Sequence, residues 1–225
     1  SKEAQALGKF LEGVALEREG RLMAAAKRFE ESEELTAPTT RTDAALASLY
    51  LSLGKPAQAL ARLGRLLETY KRLDDLTEQE RAWAMEFIRS REDLQLQYVT
   101  ASLESALQAI ATERMRNPGK PVSVEVFERT LKQAEKMAGE IPAGSLNARA
   151  ARIAILRFHI ALGNKEQAEK ELAAFEKAFP GDSGLLHTRV SMAMMRGPGK
   201  FGPKEAEAKQ AEVDALFQRH LKAYP

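Results

Sequence analysis

The chain contains no cysteine. That excludes disulfides, thiolate catalysis and cysteine-ligated metals. It suits a reducing cytoplasm, and equally an exported protein that folds without disulfides. Aromatic residues are only 6% of the sequence, so the core has to be aliphatic and alanine-rich. Neither sign of charge dominates. The 34 basic and 32 acidic side chains leave +2, too little for an electrostatic hold on nucleic acid or an anionic membrane. No apolar run approaches the roughly 20 residues of a membrane span. No signal peptide is visible, but the chain opens at Ser1, which leaves a leader in the full gene product open. Strand-like runs are nearly absent too. VSVEVF at 122–127 is the single candidate, and its continuation, ERTLKQAEKMAGEI, is helical. Ser123 therefore reads as a helix cap and Glu125 as a first-turn residue.

What is present is helix-forming sequence of globular composition, 44% hydrophobic and 29% charged over 225 residues. That length can bury a sizeable core as one elongated or one to two compact domains. An internal repeat organises it. REGRLMAAAKRF (18–29), SLGKPAQALARL (52–63) and ALGNKEQAEKEL (161–172) each place a glycine between two helical patterns. Gly20 and Gly54 lie 34 residues apart, as do Gly163 and Gly197. Five residues beyond the first three glycines stand Ala25, Ala59 and Ala168; four further on stand Phe29, Leu63 and Leu172. Four before them stand Leu16, Tyr50 and His159, and seven before them Gly13, Ala47 and Leu156. Two helices joined by a tight turn approach closely only where small residues meet at the crossing. Glycine supplies the left-handed conformation that ends the first helix, and the large apolar positions fill the layers between hairpins.

The pattern resembles the tetratricopeptide repeat, a 34-residue helix–turn–helix unit, over residues 6–73 and 149–182, with a weaker likeness in the last unit. Pro180 matches the proline that closes such a unit, whereas the first copy has Ala37 beside Pro38 and the second has Lys71. The last unit carries an enlarged turn, GPGKFGPKE, and its end, KAYP, echoes KAFP at 177–180. The resemblance implies an all-α, right-handed α-solenoid of about ten to eleven helices. Two repeats occupy 1–73, atypical long helices with an enlarged turn occupy 74–148, and two repeats occupy 149–225. The chain stops where a unit closes, so further repeats are expected to flank it in the full-length protein.

The middle has no glycine or proline between Gly64 and Pro118. Thr77 to Glu80 reads as a capping box. One helix over 77–116 would be about 60 Å long, longer than a repeat helix, so the spacing favours two helices broken near Ser90–Asp93. MRNPGK (115–120) and MRGPGK (195–200) read as widened turns.

Several motifs suggest chemistry and lose it in context. GDSG at 181–184 matches the surroundings of a protease nucleophile, but that chemistry needs a base histidine and an oxyanion hole on a β-barrel. The upstream histidine, His159, occupies the packing slot of Leu16 and Tyr50. Asp182 or Ser183 instead caps the next helix. GPGK lacks the spacing and the preceding strand of a phosphate loop. His159, His187 and His220 are scattered, without metal-ligand spacing. Met192, Met194 and Met195 read as core filling. No catalytic constellation, metal site or cofactor is expected.

What the resemblance implies instead is a concave groove lined by the first helix of each unit. Its residues would be Leu7, Phe10, Leu11, Val14 and Arg18, then Arg41, Ala44, Ala45 and Ser48, and later Ile153, Arg157 and Ile160. The competing reading of any one of them is packing against a neighbouring helix. Members that clamp an acidic C-terminal peptide use Lys and Asn where this chain has Phe10, Val14, Ala45 and Ser48, so such a peptide is not the expected partner. An apolar groove with a few arginines suits an amphipathic helix or a neighbouring subunit. The expected function is a non-catalytic scaffold binding a protein or peptide, without nucleic acid or membrane insertion. The alternatives are a building block of a homo-oligomer or of a larger multi-repeat envelope or secretion protein, and the helical accessory domain of an enzyme. The alanine-rich, cysteine-free composition leans towards a bacterial source, cytoplasmic or periplasmic.

Overall fold

Gly20, Gly54 and Gly163 all adopt positive φ, between 66° and 78°. Each turn is bonded in the same way. The N–H of the residue after the glycine donates to the carbonyl five residues back: Arg21 to Leu16 at 2.9 Å, Lys55 to Tyr50 at 2.7 Å, Asn164 to His159 at 3.0 Å. The glycine N–H itself donates to the carbonyl three back, on Glu17, Leu51 and Ile160. This is the Schellman pattern, and it uses up carbonyls that a helix end would otherwise leave unpaired. The three turns join α1 (Lys2–Arg18) to α2 (Leu22–Leu35), α3 (Thr40–Ser52) to α4 (Pro56–Lys71), and α8 (Leu146–Leu162) to α9 (Lys165–Ala178).

The computed structural model describes residues 1–88, 90–118, 125–180, 182, 188–190, 192 and 203–223, apart from a few side chains within those ranges. Every regular element among them is helical and none is a strand, so the fold class is all-α. Between the hairpins lie a short 3-10 turn (Leu73–Asp75), α5 (Glu78–Phe87), α6 (Arg91–Arg116) and α7 (Glu125–Gly139); α10 (Pro203–Ala223) comes last. The break in the middle falls where α5 ends at Phe87 and α6 begins at Arg91. Ser90 starts α6: its side chain accepts from the Asp93 N–H at 3.0 Å and its carbonyl from the Leu94 N–H at 3.2 Å. The cap expected at Ser123, the turn at Gly197, and His187, Met194 and Met195 lie outside the described residues.

The chain divides into two compact units, Ser1–Arg116 and Asn117–Pro225. In the first, α1 and α2 run antiparallel, since Ser32 near the end of α2 donates to the Ala6 carbonyl near the start of α1 at 2.8 Å. Further along, a Cβ placed on Gly13 would sit 2.6 Å from the Phe29 ring. The helices therefore touch through bare backbone at this point. Phe29 is fully buried, with the Phe10 ring 5.0 Å away; burying such a side chain stabilises by about 1.5–3 kcal/mol. Ala25, Ala59 and Ala168, one in each hairpin, are all fully buried. α6 packs along α4, and the Gln108 amide donates to the Gly54 carbonyl at 3.1 Å. In the second unit α8 packs between α7 and α9, around Ala151, Leu156, Phe158 and Phe175.

A charged network ties the first hairpin to the second. The buried Asp43 of α3 accepts from Arg65 Nε at 2.9 Å and from Arg62 at 3.1 Å. Arg62 also reaches back to Glu33 of α2, at 2.5 Å. Tyr50 of α3 donates to Glu30 of α2 at 2.5 Å; burial, then that bond, pushes its phenol up to about 12. Thirty-four residues earlier the same cross-helix pair recurs with its signs exchanged: Lys9 of α1 meets Glu31 of α2 at 3.2 Å, where Asp43 meets Arg65. Arg28, at the place of Arg62, pairs with Glu31 at 2.5 Å and Glu12 at 3.1 Å.

Replacing Gly13 by alanine is expected to lower the unfolding free energy by about 1–3 kcal/mol, because the methyl group would overlap a ring that has nowhere to go. Gly8, on the same helix, has open space around its missing Cβ, and Gly8→Ala should raise stability by about 0.5–1 kcal/mol. Urea unfolding followed by circular dichroism compares the two.

A candidate partner-binding surface

Leu7, Leu11, Val14 and Arg18 recur at i, i+4, i+7 and i+11, which places them on one face of α1. Leu7 is 46% exposed and Leu11 57%; Val14 is half-buried and Arg18 exposed. The stripe lies uncovered beside the buried face, which carries Ala6, Phe10 and Gly13. Scattered exposed leucines are ordinary, but two on successive turns next to a valine form a contiguous apolar strip.

Phe10 belongs to the interior rather than to this strip, its ring being held against Phe29. Arg41 of α3 stands over the same ring, its guanidinium carbon 5.3 Å from the ring centroid, within the range of a cation–π contact. Through that contact the first-helix residues of the two hairpins meet. Ala44 and Ala45 are half-buried and Ser48 is exposed. The remaining expected residues lie on α8 in the second unit. Ile153 is half-buried and Arg157 exposed, while Ile160 packs against the cluster of Leu156, Ala168 and Met192.

Other features read from sequence find structural places. The Asp182 carboxylate is engaged by Arg149 of α8, with Arg149 Nη2 donating at 2.7 Å and Nε completing a fork. This bond ties the end of one hairpin to its own first helix, and the pairing raises the Arg149 guanidinium above its ordinary range. Ser183 lies outside the described residues, as does the His220 side chain. Met192 is buried. Among the described residues no group of three or more His, Asp or Glu side chains could hold a metal ion. No helix among them is long and apolar enough to cross a membrane.

His159 was legible only as a packing residue, and its position adds something the sequence did not carry. It is 2% exposed, and among the described residues neither ring nitrogen has a hydrogen-bond partner. Its Nε2 stands 3.6 Å from the Glu135 carboxylate of α7, beyond hydrogen-bond reach. The equivalent slots hold Leu16, which has no such nitrogens, and Tyr50, whose hydroxyl is bonded to Glu30.

No protein-family model matches the chain, and neither a curated protein nor a solved structure matches it.

An unpaired buried polar group destabilises by about 1–3 kcal/mol. His159→Leu is accordingly expected to raise the denaturation midpoint without changing the slope. A fall in the midpoint would mean that the imidazole is bonded in solution.

Proposed function

We propose that the chain is a non-catalytic scaffold of the tetratricopeptide-like solenoid kind, binding a partner protein along the faces of its first helices. The observation that carries the reading is the uncovered Leu7–Leu11–Val14 strip. It belongs to a hairpin whose interior is closed by Phe10, Ala25, Ala26 and Phe29, all buried. An apolar strip flanked by Arg18 fits the apolar ridge of an amphipathic helix, which docks through anchors at i, i+3 or i+4 and i+7. The identical turn bonding at Gly20, Gly54 and Gly163 supports a repeated unit. In stacked repeats each unit contacts its neighbours, and a long surface stays free for partners. No reaction is assigned.

Leu7→Asp combined with Leu11→Asp tests this reading. Both side chains are already exposed, Leu7 at 46% and Leu11 at 57%, so thermal unfolding should be unchanged. A partner recovered by crosslinking and affinity capture on the unaltered chain should be lost on the variant. Recovery of the same partner by both chains would remove the strip from the function.

A further inference from the structure

α7 meets α8 as α2 meets α3. Each is the helix that precedes the first helix of a glycine-turn hairpin. The two joints are built differently. α2 is held on two sides, by α1 and by α3. It places Ala25, Ala26, Phe29 and Ser32 in the interior, and its Glu30 accepts from Tyr50 at 2.5 Å. α7 has a comparable apolar face. Phe127, Leu131, Ala134 and Ala138 recur at i, i+4, i+7 and i+11, with Met137 beside them. Of the side chains described on α7, only Ala134 is buried, while Phe127, Leu131, Met137 and Ala138 stay half-buried.

The polar link is also incomplete. Glu135 takes the part of Glu30, and His159 takes that of Tyr50. The carboxylate stands 3.6 Å from Nε2, too far for a hydrogen bond. Docking of α7 has therefore helped to take the imidazole out of water without bonding it, which works against the docked state. Lifting α7 would return His159 to water and give up only partial burial of the apolar face. A helix with little to lose on opening is one that opens locally before the whole fold does. The rest of the unit is better secured. Ser145 caps α8 by accepting from the Ala148 N–H at 3.1 Å, and Ile141 in the connection is buried. α8 and α9 are joined by the Gly163 turn and enclose Ala151, Phe158, Ala168 and Phe175, all buried.

We infer that α7 is a built-in strap. It lifts from α8 as one segment in the native protein and uncovers His159, while α8 and α9 stay folded. The device lies within the second unit and does not depend on the Leu7 strip.

Hydrogen exchange on the whole chain tests it. Relative to their intrinsic rates, the amides of residues 131–138 should exchange about tenfold or more faster than those of residues 153–160 in α8, the signature of local opening. Diethyl pyrocarbonate, with the modified histidines located by mass spectrometry, gives a second readout. His159 should react under native conditions, at a rate that follows α7 exchange. Ala134→Asp places a charge at the buried centre of the α7 face. It should speed both α7 exchange and His159 modification and leave α8 and α9 protection unchanged. Protection of α7 equal to that of α8 overturns the inference. So does a His159 that reacts only when α8 unfolds, or an Ala134→Asp chain in which α8 and α9 lose protection together with α7.

Discussion

Close approach of two helices across a glycine turn is the constraint on which the rest of this molecule depends. A hairpin with a two- or three-residue connection cannot splay its helices, so some residue at the crossing has to be small. In the first hairpin the limit is reached at Gly13, where the Phe29 ring occupies the space of a side chain. Alanines at 25, 59 and 168 meet the same need with no exposed surface. Once the backbones are this close, the large apolar residues one turn away are driven between layers, and the chain needs few aromatics to fill them. A composition with 6% aromatic residues follows from that geometry.

Charge then decides how one hairpin meets the next. Asp43, Arg62 and Glu33 form a chain of contacts from α3 through α4 back to α2. These side chains are largely out of water, so removing one would leave another unpaired in a poor solvent for charge, and that loss exceeds what an exposed pair contributes. The reversed pair of Lys9 and Glu31 holds only its own hairpin and is more exposed. The same two positions thus serve as an internal tie in one unit and as part of a joint between units in the next. The difference lies in whether an acidic helix end is at hand to meet the arginine.

How much of this was legible in the sequence depended on whether the physics leaves a local mark. The left-handed turns at Gly20, Gly54 and Gly163 were legible, because few other residues tolerate that conformation. The buried alanines were legible because they recur at a fixed distance from those glycines. The break between α5 and α6 was legible from its length argument, and Ser90 turned out to be the residue that starts the second helix. The Asp43 network was not legible, since its partners stand 19 to 29 residues apart and no spacing rule joins them. Asp182 reads as a cap when taken alone, and its bond to Arg149 spans 33 residues. Phe10 sits on a first helix whose residues alternate between an exposed strip and the core. One step along the helix turns its ring inwards to Phe29, and only the three-dimensional crossing fixes which side it takes.

The central claim is that one hairpin has been built three times around the same crossing. The most direct measurement replaces Ala25, Ala59 and Ala168 by leucine, one at a time, and follows urea unfolding of each chain. If the three crossings are equivalent, every one of the substitutions lowers stability by about 1–3 kcal/mol or more, the range for overfilling a packed interior. If any of the three chains unfolds at the same midpoint as the unaltered protein, that crossing has room for a side chain, and the hairpins are not one unit repeated.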